Sequence, residues 1–228
     1  MLSVIRFGTS VSMARRLKPD PRIPLKFRHT YAHLGGAISE ALSLIDELAW
    51  LYEPARIKVL NETAPGFFIQ YQELLVNHIV LLFTRMTAQR ESGARKNRQQ
   101  NVTLLGLLAT LRASKYSKLE IALREKWPAI EKAVQPMQKY RHKKLAHSSS
   151  EVYLPPRMKI GEGITISAMR QLGKMIVDFL SAFDCFFSNV ESTYHTGAVC
   201  GDFQELVRYL QLGYDAERSR PKSLRFGG

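Results

Sequence analysis

Four long stretches of the sequence carry apolar residues at every third or fourth position, the spacing that places them on one face of an α-helix. Two shorter stretches show the same pattern. The long stretches are Tyr31–Tyr52, Phe67–Arg85, Lys118–His147 and Ser167–Tyr194, and the short ones are Val102–Leu111 and Asp202–Leu212. Because each apolar face must be buried against another element, the pattern predicts an all-α bundle of about five to six helices.

Prolines and glycines mark where these helices are predicted to end. Pro54 ends the first helix, and Pro65 with Gly66 separates it from the second. Pro136 removes a backbone hydrogen bond from the interior of the third long stretch and predicts a bend there. Around residues 150–163, prolines and glycines cluster and predict a loop or small hairpin inserted between helices.

The stretch from Phe67 to Arg85 is the most apolar of the predicted helices and is expected at the centre of the bundle. Its predicted buried face consists of Phe67, Tyr71, Leu74, Leu75, His78, Ile79, Leu82 and Met86. Because His78 lies within this face, a hydrogen-bonded core histidine is favoured over a ligand-binding one. Glu73 and Asn77 lie one turn apart and either reach a functional site or face water.

The charge balance indicates the class of partner. The chain has 33 Lys and Arg residues against 20 Asp and Glu residues, a formal net charge of +13. Clustered cations favour a polyanion such as nucleic acid, because they release counterions from phosphates, with an anionic membrane surface second. A generally basic soluble protein is the remaining alternative.

Cysteine usage and hydropathy predict the compartment. Cys185 and Cys200 lack the spacing of a zinc site and are expected to be reduced, buried thiols. No apolar run reaches the roughly 20 residues of a membrane span. The sequence therefore predicts a soluble cytoplasmic protein with no membrane partner.

Both ends of the chain are basic and predict flexible segments. Residues 1–30 hold seven Lys and Arg residues and one acid, with three prolines, and favour a flexible basic arm. A transit peptide or an upstream start are the alternatives. Residues 215–228 are predicted to be a basic flexible tail, which leaves residues 31–214 as the helical domain.

A basic patch is predicted between two helices. From Arg85 to Lys118 there are eight basic residues and one acid, and Thr87–Gln100 is predicted to be a loop. Its cations Arg95, Lys96 and Arg98 are expected to bind RNA phosphates, with a merely solvated loop as the alternative.

The densest group of reactive side chains is the stretch Tyr140–His147, with sequence Tyr-Arg-His-Lys-Lys-Leu-Ala-His. No carboxylate occurs between Glu131 and Glu151. The cations must therefore be paired with acids from elsewhere in the fold or with a ligand, and an anion is the natural ligand.

Helix geometry limits how this stretch can form a site. Six residues separate Arg141 from His147, so on a straight α-helix their side chains point roughly 120° apart. A bend near Pro136 or Ser148, a ligand that spans both residues, or a second copy of the stretch related by a twofold axis would each resolve this divergence.

Arginine and histidine together suit phosphodiester cleavage without a metal. Histidine transfers protons near neutral pH, and arginine binds phosphate with two parallel hydrogen bonds. No group of acidic residues accompanies the stretch, which disfavours a magnesium nuclease, and no cysteine is near, which disfavours zinc. No metal or cofactor is therefore expected.

The stretch resembles the Arg-polar-x(3 to 5)-His signature of the HEPN superfamily, near the end of a long helix in an all-α domain, and is most similar to its abortive-infection AbiU-type branch. The resemblance implies a HEPN-like helical bundle that acts as a dimeric, metal-independent RNA endonuclease in a toxin–antitoxin or phage-defence system. It implies that Arg141 binds phosphate, His147 is the acid/base and His142 assists it. By charge alone, Lys139, Lys143 and Lys144 are expected to attract the RNA backbone.

One position departs from the family. HEPN toxins paired with a nucleotidyltransferase antitoxin often have a tyrosine two residues after the histidine, where this chain has Ser149. Modification of that site by an antitoxin protein is therefore not expected, although an antitoxin partner remains possible. Two alternatives to a nuclease stay open: a non-catalytic HEPN-like module that binds RNA or protein, and cations that merely stabilise a helix C-terminus.

Overall fold

Seven α-helices and one π-helical segment make up most of the chain that the structure describes. The computed structural model describes residues 21–92, 99–146, 164–188, 194 and 201–219. The helices are α1 (Leu25–Leu51), α2 (Pro54–Thr63), α3 (Pro65–Met86), α4 (Leu104–Arg112), α5 (Ser117–Tyr140), the π-helical segment (Arg141–Ala146), α6 (Ile166–Ser188) and α7 (Gly201–Ser219). The predicted all-α class is confirmed. The hairpin predicted around residues 150–163 lies outside the described residues, as does Cys200. Cys185 on α6 is exposed, so its predicted burial is wrong.

Four long helices form the main core. Helix α1 packs against α3 and α6, and α5 packs against both of these. The fully buried positions of α1 include Leu34, Ile38, Ala41 and Ile45, which follow the predicted spacing. The only pairing of strands in the described residues is a two-residue antiparallel contact between β1 (Glu91–Ser92) and β2 (Gln99–Gln100), within the segment predicted to be a loop.

The folded domain begins earlier than predicted. Helix α1 begins at Leu25, and Ile23 and Phe27 are fully buried in the main core. Pro24 directly precedes the helix, so it marks the start of α1 and does not break it. The predicted arm–domain boundary at residue 31 is therefore wrong, and the part of the arm before residue 21 lies outside the described residues. At the other end, α7 extends to Ser219, past the predicted boundary at 214.

Helix α2 is absent from the prediction because its flanking prolines were interpreted as helix ends. Pro54 and Pro65 instead occupy the first turns of α2 and α3, where a missing N–H costs no hydrogen bond. Helix α2 packs against α3 and α7. A second, smaller core results, with Leu51, Leu60, Phe68 and Val207 as its buried members.

Helix α3 packs against α1, α2 and α5, but only Leu75, Ile79 and Met86 of its eight predicted core residues are buried. Its buried residues are Phe68, Leu75, Val76, Ile79, Val80, Phe83, Thr84 and Met86. Phe67, Leu74 and His78 are exposed, and His78 Nε2 lies 3.1 Å from Glu40 Oε1. The prediction of a core histidine is therefore wrong. Because α3 is apolar on nearly all sides, periodicity alone does not determine which side packs inward.

By length and composition alone, α3 is the one helix among the described residues that is long and apolar enough to cross a membrane. Helices in the cores of soluble proteins also meet this criterion. Only about a third of its apolar window is buried within this chain. The helix therefore presents more apolar surface than its neighbours in the chain cover.

Candidate functional site

The basic stretch lies at the end of α5, where the helix widens. Pro128 and Pro136 are both accommodated within the continuous helix Ser117–Tyr140, and the geometry changes only at Arg141, where the π-helical segment begins. A π-helix is bonded from residue i to i+5, is rare, and frequently marks functional sites. The bend predicted at Pro136 therefore does not end the helix, and the hydrogen-bonding pattern widens only after Tyr140.

One side of this turn is fixed to α3. The Tyr140 hydroxyl donates a hydrogen bond of 2.9 Å to Asn77 Oδ1. Four residues later, Lys144 Nζ forms an ion pair with Glu73 and lies 5.4 Å from the centroid of the Tyr140 ring. Glu73 and Asn77 thus reach the candidate site and do not simply face water.

Lys144 is not a free cation for RNA. Only 13% of its side chain is exposed, and Glu73 of α3 neutralises its charge. Burial alone would lower the pKa of Lys144, but its hydrogen bonds to Glu73 and Tyr140 outweigh burial and leave the pKa raised. The lysine therefore stays charged at neutral pH and holds the turn against α3. Its predicted role in attracting the RNA backbone is wrong.

The other side of the turn is cationic and faces solvent. Arg141, His142 and Lys143 are exposed, as is Lys139 on the preceding turn of α5. Within the described ranges, no ion pair involves Arg141, Lys139 or Lys143. We call Lys139, Arg141, His142 and Lys143 the cationic turn. Exposed cations of this kind suit the binding of an anion such as a phosphodiester backbone.

Several predicted site residues lie outside the described residues. They are His147, which was assigned as the acid/base, and Arg95, Lys96 and Arg98, which were assigned to phosphate binding. Because a π-helical segment separates Arg141 from His147, the divergence calculated for a straight α-helix does not apply to this pair. Among the described residues, no three His, Cys, Asp or Glu side chains are grouped as metal ligands would be.

An open groove on α3 lies beside the cationic turn and was not predicted. It is lined by Leu74, Asn77, His78, Leu81, Leu82 and Arg85, all from α3. Asn77 belongs both to this groove and to the contact with Tyr140. Three of its residues, Leu74, His78 and Leu82, belong to the face of α3 that was predicted to be buried.

Comparison with known proteins found no relative of this chain. No family model matches the sequence, and no curated protein or solved structure matches it. The resemblance to HEPN proteins therefore rests on the residues of the stretch Tyr140–His147 and on the helical layout.

Proposed function

We propose that this protein is a metal-independent RNA endonuclease of the HEPN type, a ribonuclease toxin or phage-defence effector that acts as a dimer with a composite Arg/His site. The observation that carries the proposal is the cationic turn, in which Arg141 and His142 face solvent on a π-helical segment held to α3. A turn that only stabilised the C-terminus of α5 would not need its own attachment to a neighbouring helix.

The proposed chemistry assigns one role to each residue. Arg141 binds the scissile phosphate and stabilises the negative charge that grows on it during the reaction. His147 removes the proton of the ribose 2′-hydroxyl or protonates the leaving oxygen, and His142 assists it. Neither step requires a metal ion.

The surrounding charge supplies affinity for RNA. Lys139 and Lys143 flank Arg141 and are exposed, and the chain carries a net charge of +13. Binding through such contacts is largely independent of base sequence and weakens steeply with salt. We propose that the protein acts on RNA in the cytoplasm, as a homodimer in which the Arg141–His147 segments of two chains face each other, with an antitoxin protein as a possible further partner.

An assay of RNA cleavage in EDTA tests the proposal. We expect wild-type protein to cut structured RNA with EDTA present, and His147→Ala to abolish cleavage while RNA binding is retained. His33→Ala is the matched control, because His33 is an exposed histidine on α1, far along the chain from the cationic turn. Its cleavage rate should equal that of the wild type.

Two results would decide against a metal-independent nuclease. Wild-type protein that binds RNA but cuts no substrate class would support the non-catalytic binding module. Cleavage that EDTA abolishes and Mg²⁺ restores would exclude the metal-independent mechanism.

A further inference from the structure

One side of α3 carries a regular stripe of residues that the chain leaves largely uncovered. The stripe consists of Phe67, Tyr71, Leu74, His78, Leu81 and Arg85, with successive spacings of four and three residues. At about 100° per residue, these six positions fall within a band of roughly 80°. Apart from the half-buried Tyr71, all are exposed, and Leu74 is 59% exposed. We call this set the α3 stripe.

The spacing and composition of the α3 stripe are typical of a contact between two helices. Alternating steps of three and four residues generate the seam along which paired helices interlock their side chains. Soluble proteins seldom leave a contiguous apolar patch of this kind uncovered unless it is an interaction surface. Phe67, Leu74 and Leu81, spaced seven residues apart, are its apolar members.

We propose that two copies of this chain associate through the α3 stripe, with the two α3 helices antiparallel about a twofold axis near Val76. This axis pairs each stripe residue with another stripe residue. Leu74 meets His78 of the partner subunit, Tyr71 meets Leu81 of the partner subunit, and Phe67 meets Arg85 of the partner subunit. The surface is therefore complementary to itself, as an interface with twofold symmetry requires.

The charges on the stripe favour the antiparallel arrangement. A parallel pair would place Arg85 beside Arg85 of the partner subunit and His78 beside His78 of the partner subunit. The antiparallel pair places the guanidinium of Arg85 against the aromatic ring of Phe67, a favourable cation–π contact. It also aligns the two helix dipoles in opposite directions.

The same charges disfavour a lipid bilayer as the occupant. His78 and Arg85 lie on the stripe, and His78 is paired with Glu40 at its edge. Polar and charged side chains are costly to place in hydrocarbon. A second protein copy can meet them with aromatic and polar groups of its own.

The pairing also accounts for a shared site, a consequence that rests on the proposed function. Glu73 and Asn77, which hold Lys144 and Tyr140, lie on either side of Val76 and point about 100° away from the α3 stripe. When a twofold axis perpendicular to two antiparallel helices relates them, a feature on one lateral side of the first helix has its copy on the same side of the second helix. Both cationic turns then lie on the same side of the helix pair and near the axis, whereas a parallel pair would place them on opposite sides.

Measurement of oligomeric state tests the pairing without RNA. By analytical ultracentrifugation, we expect the wild type to be a dimer and Leu74→Arg to be a monomer with unchanged helical circular dichroism. Ile121→Arg is the matched control, because Ile121 is 55% exposed on α5 and lies off the stripe. It should remain a dimer.

Cysteine cross-linking tests the direction of the helices. In a background with Cys185→Ser and Cys200→Ser, the double variant Leu74→Cys/His78→Cys should form an intermolecular disulfide under mild oxidation. Leu81→Cys alone should not, since the antiparallel pair separates the two copies of position 81 by about 15 Å along the helix. Cross-linking through Leu81→Cys alone would overturn the antiparallel arrangement.

A monomeric wild type, or a Leu74→Arg variant that remains a dimer, would overturn the pairing. The pairing would also be overturned if the wild type bound vesicles of anionic phospholipid and Leu74→Arg did not. These results are separable from nuclease activity. A dimer that cuts no RNA would support the interface and contradict the proposed function. An active nuclease whose dimer is unaffected by Leu74→Arg would contradict only the interface.

Discussion

Replacement of Phe27 with alanine is expected to lower the free energy of unfolding by about 3–5 kcal/mol, the usual cost of emptying a large buried aromatic site. Phe27 is fully buried, and its ring centroid lies 5.7 Å from that of Phe183 and 5.9 Å from that of Tyr116. It therefore connects the start of α1 to α6 and to the residue that precedes α5. Urea denaturation followed by circular dichroism measures this change.

Leu25→Ala is the matched control for this prediction. Leu25 lies two residues earlier on the same helix but is 78% exposed, so its replacement should change stability by no more than about 0.5 kcal/mol. If Phe27→Ala were as mild as Leu25→Ala, the start of α1 would not be part of the core, and the domain boundary first predicted at residue 31 would stand.

Replacement of Arg141 with alanine is expected to lower the rate of RNA cleavage by about 100- to 1000-fold, the typical loss when one donor to a developing negative charge is removed. Thermal stability should not change, because Arg141 is exposed and makes no ion pair within the described residues. Single-turnover cleavage of a labelled RNA measures the chemical step separately from binding. Arg141→Lys should restore RNA binding but not cleavage, because lysine keeps the charge and loses the paired hydrogen bonds.

Arg112→Ala is the charge-matched control for this variant. Arg112 is an exposed arginine at the end of α4, so its loss lowers the net charge by the same amount away from the cationic turn. It should weaken RNA binding slightly and leave the cleavage step unchanged. Equal losses of cleavage in Arg112→Ala and Arg141→Ala would mean that Arg141 contributes only general charge.

Periodicity predicted the helices whose apolar and polar faces differ clearly. For α1, the buried residues Leu34, Ile38 and Ile45 could be identified from spacing alone. For α3 the same method placed the exposed Phe67, Leu74 and His78 in the core together with residues that are buried, because an apolar residue at nearly every position gives no contrast between faces. Pro54 was interpreted as a stop although it starts α2, since proline is common both after a helix and in its first turn.

The candidate site was predictable in position but not in arrangement. The absence of nearby acids in the sequence indicated that the cations of the stretch must find distant partners, and Glu73 proved to be the partner of Lys144. Which lysine turns inward depends on how α5 packs against α3, a tertiary contact between positions 71 residues apart. No residue of the stretch signals a π-helix, and the packing of Tyr140 on Asn77 is visible only in the fold.

The α3 stripe illustrates how a failed prediction can identify a surface. Leu74 and His78 belong to a strongly periodic apolar face, which is why they were assigned to the core. In the structure Leu74 and His78 are turned outward. If α3 pairs as proposed, periodicity responded to a helix–helix contact surface but could not distinguish a partner in the same chain from a partner in a second copy.

Arg141 of one chain is proposed to act together with His147 of another, and subunit mixing tests this cooperation. Arg141→Ala and His147→Ala are each expected to be inactive, and a mixture allowed to exchange subunits should regain RNA cleavage in EDTA, because each mixed dimer contains one intact Arg141 and one intact His147 from different chains. A mixture that exchanges subunits yet stays as inactive as either variant alone would contradict a site shared between two chains.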